Sequence, residues 1–197
     1  MSDVLTLDDV RLGGKVVLYR VDVNSPLEPS SGAFLDDSRL RAIIPTLRTL
    51  QNSKVVMLGH QSRPGKIDFT NMEQHADRIS RLIGKKVKFI SDICGDEAIS
   101  SIKNLKIGEM LFLDNIRMHD DENSMKKASL EETAQSEIVR KLSSVIDVYV
   151  TDAFAASHRN SPSLTGFYDS VPCIAGHLMS KEISNLQIAV NDPPRPY

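Results

Sequence analysis

The sequence has few cysteines, no tryptophan and no long apolar run, and each shortage narrows the class of protein. Its 197 residues include two cysteines, Cys94 and Cys173, which stand far apart and outside any metal-ligand spacing. We predict two small, buried thiols in a reducing compartment rather than a disulfide framework or a zinc site. No segment approaches the roughly 18 uninterrupted apolar residues of a membrane helix, and the N-terminus does not resemble a signal peptide. These features predict a cytoplasmic protein.

The chain also lacks a strong excess of charge of either sign. Its formal net charge is -2 and its pI is about 6.2, so composition gives no reason to expect binding to nucleic acid or to an anionic membrane. Hydrophobic residues make up 41% and charged residues 25%, which is the balance of an ordinary globular protein. A chain of this length can bury a core without support from metals or disulfides. Any anion site must therefore come from a local cluster of charges.

Short aliphatic segments alternate along the chain with segments of helical periodicity. Strands are predicted at residues 15–23, 54–58, 86–90, 110–113 and 147–150. Because strands that alternate with amphipathic helices form right-handed βαβ units, the fold is predicted to be α/β. We expect a doubly wound three-layer sandwich with a mainly parallel, Rossmann-like central sheet.

Five helices are predicted from the spacing of apolar residues. The first spans 38–50 with Pro45 as a local kink, the second runs from Thr70 or Asn71 to Gly84, and the third is a short helix at 97–102. A capping box at residues 129 and 132 opens the fourth, which is predicted to be the longest and to reach residue 145. Apolar residues at 179, 183, 186 and 190 predict the last helix, and NDPPRPY then ends regular structure.

Polar and basic side chains collect directly after the predicted strands. Ligands of an open parallel sheet bind outside the carboxyl ends of its strands, so these side chains should converge on one rim. Arginine donates paired hydrogen bonds to phosphate and carboxylate and stays charged at any physiological pH. The sequence therefore predicts a site for a small, multiply anionic ligand. The residues that follow the strands are Asp22, Asn24, His60, Arg63, Arg117, His119, Asp152, His158 and Arg159, and Arg39 lies on the helix after the first strand.

Each of these residues has a plainer explanation when it is taken alone. A single arginine beside a strand end is usually a surface ion-pair partner, and Asp22 and Asn24 are good turn formers before Pro26. His119 with the acidic residues 120–122 could be drawn as a metal cluster, but such a run is more often a solvated approach to a helix, so we predict no metal site. Only the coincidence of many such residues at one edge favours an anion site.

Six motifs resemble, in chain order, those of the phosphoglycerate kinase family. They are RVDVNSPL at 20–27, DDSRLRAIIPTL at 36–47, GHQSRP at 59–64, LDNIRMHDDE at 113–122, TDAFAASHRNSPS at 151–163 and AGHLMSKEI at 175–183. The resemblance covers the whole chain. It departs at Val23, Ser25, Gln61-Ser62 and Ala155-Ala156, where the family usually has an aromatic residue, a valine, a Leu-Gly pair and a Gly-Thr pair. These departures indicate a divergent, archaeal-type member.

The resemblance implies a site for 3-phosphoglycerate or 1,3-bisphosphoglycerate. Asp22 and Asn24 would hold the C2 hydroxyl and the carboxyl end of that ligand. Arg39 would lie nearest the transferring phosphoryl group and would be the catalytic residue, because stabilising charge dominates phosphoryl-transfer catalysis. The C3 phosphate would be held by His60, Arg63, Arg117 and Arg159.

The resemblance also implies how the chain is organised. Residues 1–177 would form the phosphoglycerate-binding N-terminal domain, and residues 178–197 would begin the interdomain connector. A C-terminal domain absent from this chain would bind Mg-ATP or Mg-ADP, so the chain itself would bind no cofactor and would not catalyse phosphoryl transfer alone. We expect a monomer that binds neither nucleic acid nor membrane.

Two other classes of function stay open at this point. One is a stand-alone module that binds small anions without catalysis, which the length of the chain permits. The other is a nucleotide- or dinucleotide-binding Rossmann protein, because the predicted fold could host one. No GxGxxG or GxxxxGK[ST] motif follows the first predicted strand, which disfavours the second class.

Overall fold

A six-stranded sheet forms the centre of the computed structural model, which describes residues 4–191. All five strand pairings are parallel, and the strand order is β3-β4-β2-β1-β5-β6. The predicted parallel α/β sheet is therefore confirmed. The strands are β1 (Val16–Arg20), β2 (Lys54–Leu58), β3 (Val87–Ile90), β4 (Met110–Leu113), β5 (Val148–Thr151) and β6 (Cys173–Ala175).

Helices connect the strands and cover both faces of the sheet. They are α1 (Ser38–Ala42), α2 (Ile44–Thr49), α3 (Glu73–Ile83), α4 (Asp96–Lys103), α5 (Asp120–Ser124), α6 (Leu130–Ala134), α7 (Glu137–Ser143), α8 (Pro162–Thr165) and α9 (His177–Asn191). Short 3-10 helices lie at Leu50–Asn52, Ile116–Met118, Phe154–Ala156 and Gly166–Asp169. Within residues 4–191, no helix combines the length and the apolar character needed to cross a membrane.

Two hydrophobic cores lie on opposite sides of the sheet. Val17 and Tyr19 of β1 pack into one core with residues of α1, α2 and α3. Leu18, between them in the sequence, packs into the other core with residues of α4 and α7. Since successive side chains of a strand point to opposite faces, this alternation is the signature of a sheet buried on both sides. The three-layer architecture is thus confirmed.

Two of the predicted helices are each broken into two. The helix expected at 38–50 is interrupted at Ile43, and Pro45 lies in the first turn of α2, where its missing N–H costs no hydrogen bond. The capping box of Ser129 and Glu132 is present, but α6 ends after Ala134 and Ser136 caps a new helix, α7. The fourth predicted helix is therefore not the longest: α9, with 15 residues, is longer.

Smaller corrections concern helix α3 and the last strand. Helix α3 begins at Glu73 with Met72 as its N-cap residue rather than at Thr70 or Asn71, and it ends as expected at Gly84, which has a left-handed φ of 68°. Strand β6 was not predicted, because its three residues are too few to show periodicity. Cys173 at its start is exposed, so only Cys94 is the buried thiol that was expected. The proline-rich end of the predicted connector, at 192–197, lies outside the described residues.

Candidate active site

The candidate site lies where the order of the strands reverses. From β1 the chain adds β2, β4 and β3 on one side of the sheet and β5 and β6 on the other. The crevice outside the carboxyl ends of strands at such a reversal is the usual ligand site of a doubly wound sheet. Asp22 follows β1, His60 follows β2 and Arg159 lies beyond the end of β5, so the topology brings their loops to one edge.

A buried arginine that was not among the predicted site residues anchors His60. Arg20, at the end of β1, is only 2% exposed, and its Nη2 lies 3.2 Å from His60 Nδ1. Because a guanidinium only donates, Nδ1 must be the acceptor and the ring proton must be on Nε2. Burial, together with the charges of Arg20 and its neighbours Arg117, Arg159 and Arg39, lowers the pKa of His60 to about 2. His60 is therefore a neutral ring with Nε2–H as its donor.

Glu122 supports Arg20 through Ser163. Arg20 Nε donates to Ser163 Oγ at 3.1 Å, and Ser163 Oγ donates to Glu122 Oε1 at 2.7 Å. Ser161 Oγ and the Ser163 backbone N–H also donate to the Glu122 carboxylate, at 2.9 and 3.0 Å. The acidic run at 120–122 was predicted to be a solvated approach to a helix. It forms the start of α5, where Asp120 is exposed as expected but Glu122 is buried. Its charge balances part of the positive charge of the crevice.

The other arginines lie within electrostatic range of one another. Arg117 is half-buried, and its Nη1 donates to the Ser62 carbonyl at 2.5 Å. Burial lowers the pKa of Arg117, and the charges of Arg159, Arg20 and Arg63 lower it further. Like charges held this close repel one another, and an anion placed among them would relieve that repulsion. The arrangement is therefore suited to a phosphate group.

Asp22, Asn24 and Arg39 form the neighbouring part of the crevice. Arg39 on α1 makes an ion pair with Asp22, which is 7% exposed, while 45% of the Arg39 side chain stays accessible. Asn24 Oδ1 accepts a hydrogen bond from the Ser62 backbone N–H at 2.7 Å. A cavity of about 300 Å³ lies beside this ion pair, and Leu178 of α9 is part of its wall. Asp22 and Arg39 therefore border a space that a polar ligand could enter.

Asp152 follows β5 as predicted, but its side chain faces inward. It is fully buried and accepts hydrogen bonds from Tyr19 Oη at 2.5 Å, Thr46 Oγ1 at 2.6 Å and the Met179 backbone N–H at 2.9 Å. Its role is thus to fasten the first turn of α9 to the sheet. The carboxylate also packs against Gly176, where any Cβ would overlap it.

His119 and His158, which were predicted to lie at the rim, have neighbouring side chains or backbone groups as hydrogen-bond partners. His119 Nδ1 accepts from the Asp121 backbone N–H at 3.2 Å and caps α5, while its Nε2 lies 3.5 Å from Cys94 Sγ. His158 is exposed beside Arg159, whose Nε lies 3.3 Å from His158 Nε2. Among the residues from 4 to 191, no three His, Cys, Asp or Glu side chains are placed to hold a metal ion.

A parallel, doubly wound sheet defines an α/β protein, and the arginine-rich crevice at its point of strand reversal is suited to a small anion. A family model described as phosphoglycerate kinase matches residues 7–197. The chain belongs to the phosphoglycerate kinase family.

Relatives agree with this assignment in sequence and in structure. The chain is 44% identical over 193 residues to the phosphoglycerate kinase of Methanothermobacter thermautotrophicus, covering 97% of this chain and 46% of that protein. The crystal structure of phosphoglycerate kinase from Pyrococcus horikoshii OT3 superimposes with a TM-score of 0.92 at 41% identity, covering 98% of this chain and 47% of that one. The structure of the Coxiella burnetii enzyme gives a TM-score of 0.77 at 25% identity, over 98% of this chain and 46% of that one.

These comparisons bear on the predicted type of family member and on the length of the chain. Close relatives such as the Methanothermobacter protein are archaeal, as the departures from the usual motifs indicated. The chain spans about half the length of the curated relatives it matches.

Proposed function

We propose that this chain is the phosphoglycerate-binding half of a phosphoglycerate kinase. The observation that carries the proposal is the convergence of the basic side chains on one crevice, in a chain whose net charge is -2. Burial and the charges of Arg20, Arg117, Arg159 and Arg39 lower the pKa of His60, so all four charges act on this one ring. Such a cluster, in a member of this family, suits a ligand with a phosphate at one end and a carboxyl group at the other.

The arginine end of the crevice would hold the C3 phosphate. Arg117 and His60 are fixed by bonds to Ser62 and Arg20, so they are already in place for a ligand. Arg63 and Arg159 are exposed and would close around the phosphate from solvent. The neutral His60 would donate from Nε2, which adds a hydrogen bond without adding a further repelling charge.

The Asp22 end would hold the C2 hydroxyl and the carboxyl group. Asp22 and Asn24 are positioned by Arg39 and by the Ser62 backbone, and both keep an oxygen or amide for a hydroxyl group. Arg39 is the most accessible member of this end and would stabilise the charge of the transferring phosphoryl group. In the reaction, a β-phosphate oxygen of ADP would attack the acyl phosphate, and the bond from phosphorus to the acyl oxygen would break to leave the carboxylate of 3-phosphoglycerate.

The second half of the enzyme would supply the nucleotide. A C-terminal domain outside this chain would bind Mg-ATP or Mg-ADP, and residues 178–197 would lead toward it. Closure of the two halves would bring the acyl phosphate and the nucleotide into line and exclude water. The proposal includes a place in glycolysis, a cytoplasmic location, a monomeric state and no catalysis by this half alone. Nothing in the described residues favours a stand-alone anion-binding module.

Calorimetric titration of the chain with 3-phosphoglycerate tests the proposal. We expect saturable binding of 3-phosphoglycerate and none of ATP, with affinity falling at higher salt. Arg117→Met removes a charge-assisted contact and should weaken binding at least about tenfold. Arg140→Met, which removes an exposed arginine from α7, is the matched control and should leave affinity unchanged. Failure of the native chain to bind, or equal affinity of the Arg117 variant, would refute the assignment of the site.

A further inference from the structure

Gln61 joins two of the loops that border the crevice. It is fully buried, and its side-chain amide pairs with the backbone of Ser25 in both directions. Gln61 Oε1 accepts from the Ser25 N–H at 3.2 Å, and Gln61 Nε2 donates to the Ser25 carbonyl at 2.9 Å. This pairing resembles a rung of a β-ladder made by a side chain. It holds the loop after β1 against the loop after β2, beyond the point where the sheet itself ends.

Two further side chains fix the position of Gln61. His75, fully buried on α3, has its Nε2 3.1 Å from Gln61 Oε1. Because the pairing with Ser25 makes Oε1 an acceptor, His75 Nε2 must carry the proton. Asn115, after β4, donates from Nδ2 to the Gln61 carbonyl at 2.8 Å. The loops after β1, β2 and β4 are thus joined at one residue that solvent does not reach.

The next residue, Ser62, contacts both ends of the crevice. Its N–H donates to Asn24 Oδ1 at 2.7 Å, and its carbonyl accepts from Arg117 Nη1 at 2.5 Å. Ser62 has a φ of 56°, a left-handed conformation that is uncommon for a residue with a side chain. Its hydroxyl donates to Asp68 Oδ1 at 2.6 Å, which helps to hold that conformation. A strained backbone is retained where its N–H and carbonyl point to the two ends of the crevice.

We propose that the pair Gln61-Ser62 is a positioning clamp that sets the separation between the two ends of the ligand site. One end contains Asn24 and the other contains Arg117, and Ser62 is hydrogen-bonded to both. The inference rests on the proposed function, in which one ligand spans the two ends. A ligand that contacts both ends binds well only if the distance between them is fixed. An anion that occupies only the arginine end does not.

Gln61→Met tests the clamp, because methionine fills a similar volume but cannot pair with Ser25. Two ligands are compared: 3-phosphoglycerate by calorimetry, and inorganic phosphate by amide NMR shifts at millimolar concentration. We expect the affinity for 3-phosphoglycerate to fall about tenfold, the scale of one to two lost hydrogen bonds. The affinity for inorganic phosphate should change by less than about twofold. Gln51→Met is the matched control, since Gln51 is exposed before the start of β2, and it should change neither affinity.

The outcomes separate the clamp from the proposed function. If the native chain binds no 3-phosphoglycerate, the proposed function fails and the clamp fails with it. If the native chain binds it and Gln61→Met weakens both ligands equally, or neither, only the clamp is overturned. Should Gln61→Met not fold, Gln61→Asn replaces it: this variant keeps a polar amide but is one carbon–carbon bond too short to pair with Ser25. The same difference between the two ligands is expected.

Discussion

The carboxylate of Asp152 offers the sharpest test of how α9 is attached. Asp152→Asn would keep an oxygen for the Met179 N–H but would turn an amide NH₂ toward Tyr19 and Thr46. Burial and the adjacent carboxylate raise the pKa of Tyr19, so its hydroxyl remains a donor and would lose its acceptor. Hydrogen bonds to charged groups contribute about 1.5–3 kcal/mol each. Since the new NH₂ can recover part of two such bonds, we expect a loss of about 3 kcal/mol.

Thermal and urea unfolding measure this loss directly. For a domain of this size, about 3 kcal/mol corresponds to a fall in Tm of roughly 6–12 °C. Asp77→Asn, at an exposed position of α3, is the control and should lie within about 0.5 kcal/mol of the native chain. A loss below about 1 kcal/mol for Asp152→Asn would refute the reasoning, because the buried carboxylate would then not be what fastens the helix.

Two further predictions concern pH and a glycine. The pKa values of His60 and His75 are lowered by burial to about 2 and about 4, against 6.5 when unfolded. The unfolded chain therefore binds more protons below pH 6.5, so stability is full above that pH and falls as the pH drops. Between pH 7 and pH 5 we expect the free energy of unfolding to fall by about 2 kcal/mol for each histidine. Urea unfolding at both pH values measures this fall, and His60→Gln should reduce it by about half. A flat profile would contradict the neutral, buried state of both rings. The glycine is Gly176, where a Cβ would overlap the buried carboxylate of Asp152, so Gly176→Ala should cost about 2 kcal/mol or more. Gly13→Ala, with open space around it, should be near neutral in the same unfolding assay. Equal stability of the two variants would contradict the close contact between Gly176 and Asp152.

The sheet could be predicted because its signals are local. Aliphatic segments of four or five residues, with helical periodicity between them, identify β1 to β5 without knowledge of distant contacts. The break between α6 and α7 could not be predicted in this way. The apolar stripe continues across it, and only the cap made by Ser136 shows that a new helix begins. A capping serine inside an apolar stripe has the same appearance as an exposed helical serine.

The support beneath the site was the part that sequence did not reveal. Arg20 stands inside the aliphatic segment KVVLYRVDV, and a charge within a buried strand was the signal that could have identified it. Its partner Ser163 is 143 residues away, and Glu122 lies in a run that looks solvated. Such pairings depend on tertiary structure. Asp22 and His60 could be predicted at the rim because each closely follows a strand, whereas Arg39 lies on α1, well beyond the end of β1.

Two of the departures from the usual family motifs, at Ser25 and Gln61, are connected by hydrogen bonds in the structure. Ser25 and Gln61-Ser62 looked like separate substitutions in the sequence, since 36 residues separate Ser25 from Gln61. In the structure they meet in one hydrogen-bonded pair. A buried glutamine amide needs partners on both its oxygen and its nitrogen, and the backbone of Ser25 supplies them.

The most direct test of the account is an amide NMR titration of the chain with 3-phosphoglycerate. The account predicts saturable shift changes at the loops after β1, β2, β4 and β5, with Asn24, Ser62 and Arg117 among the amides most affected. Changes that are absent, or that centre on the lysines at the opposite end of the sheet, such as Lys86 before β3, would contradict it.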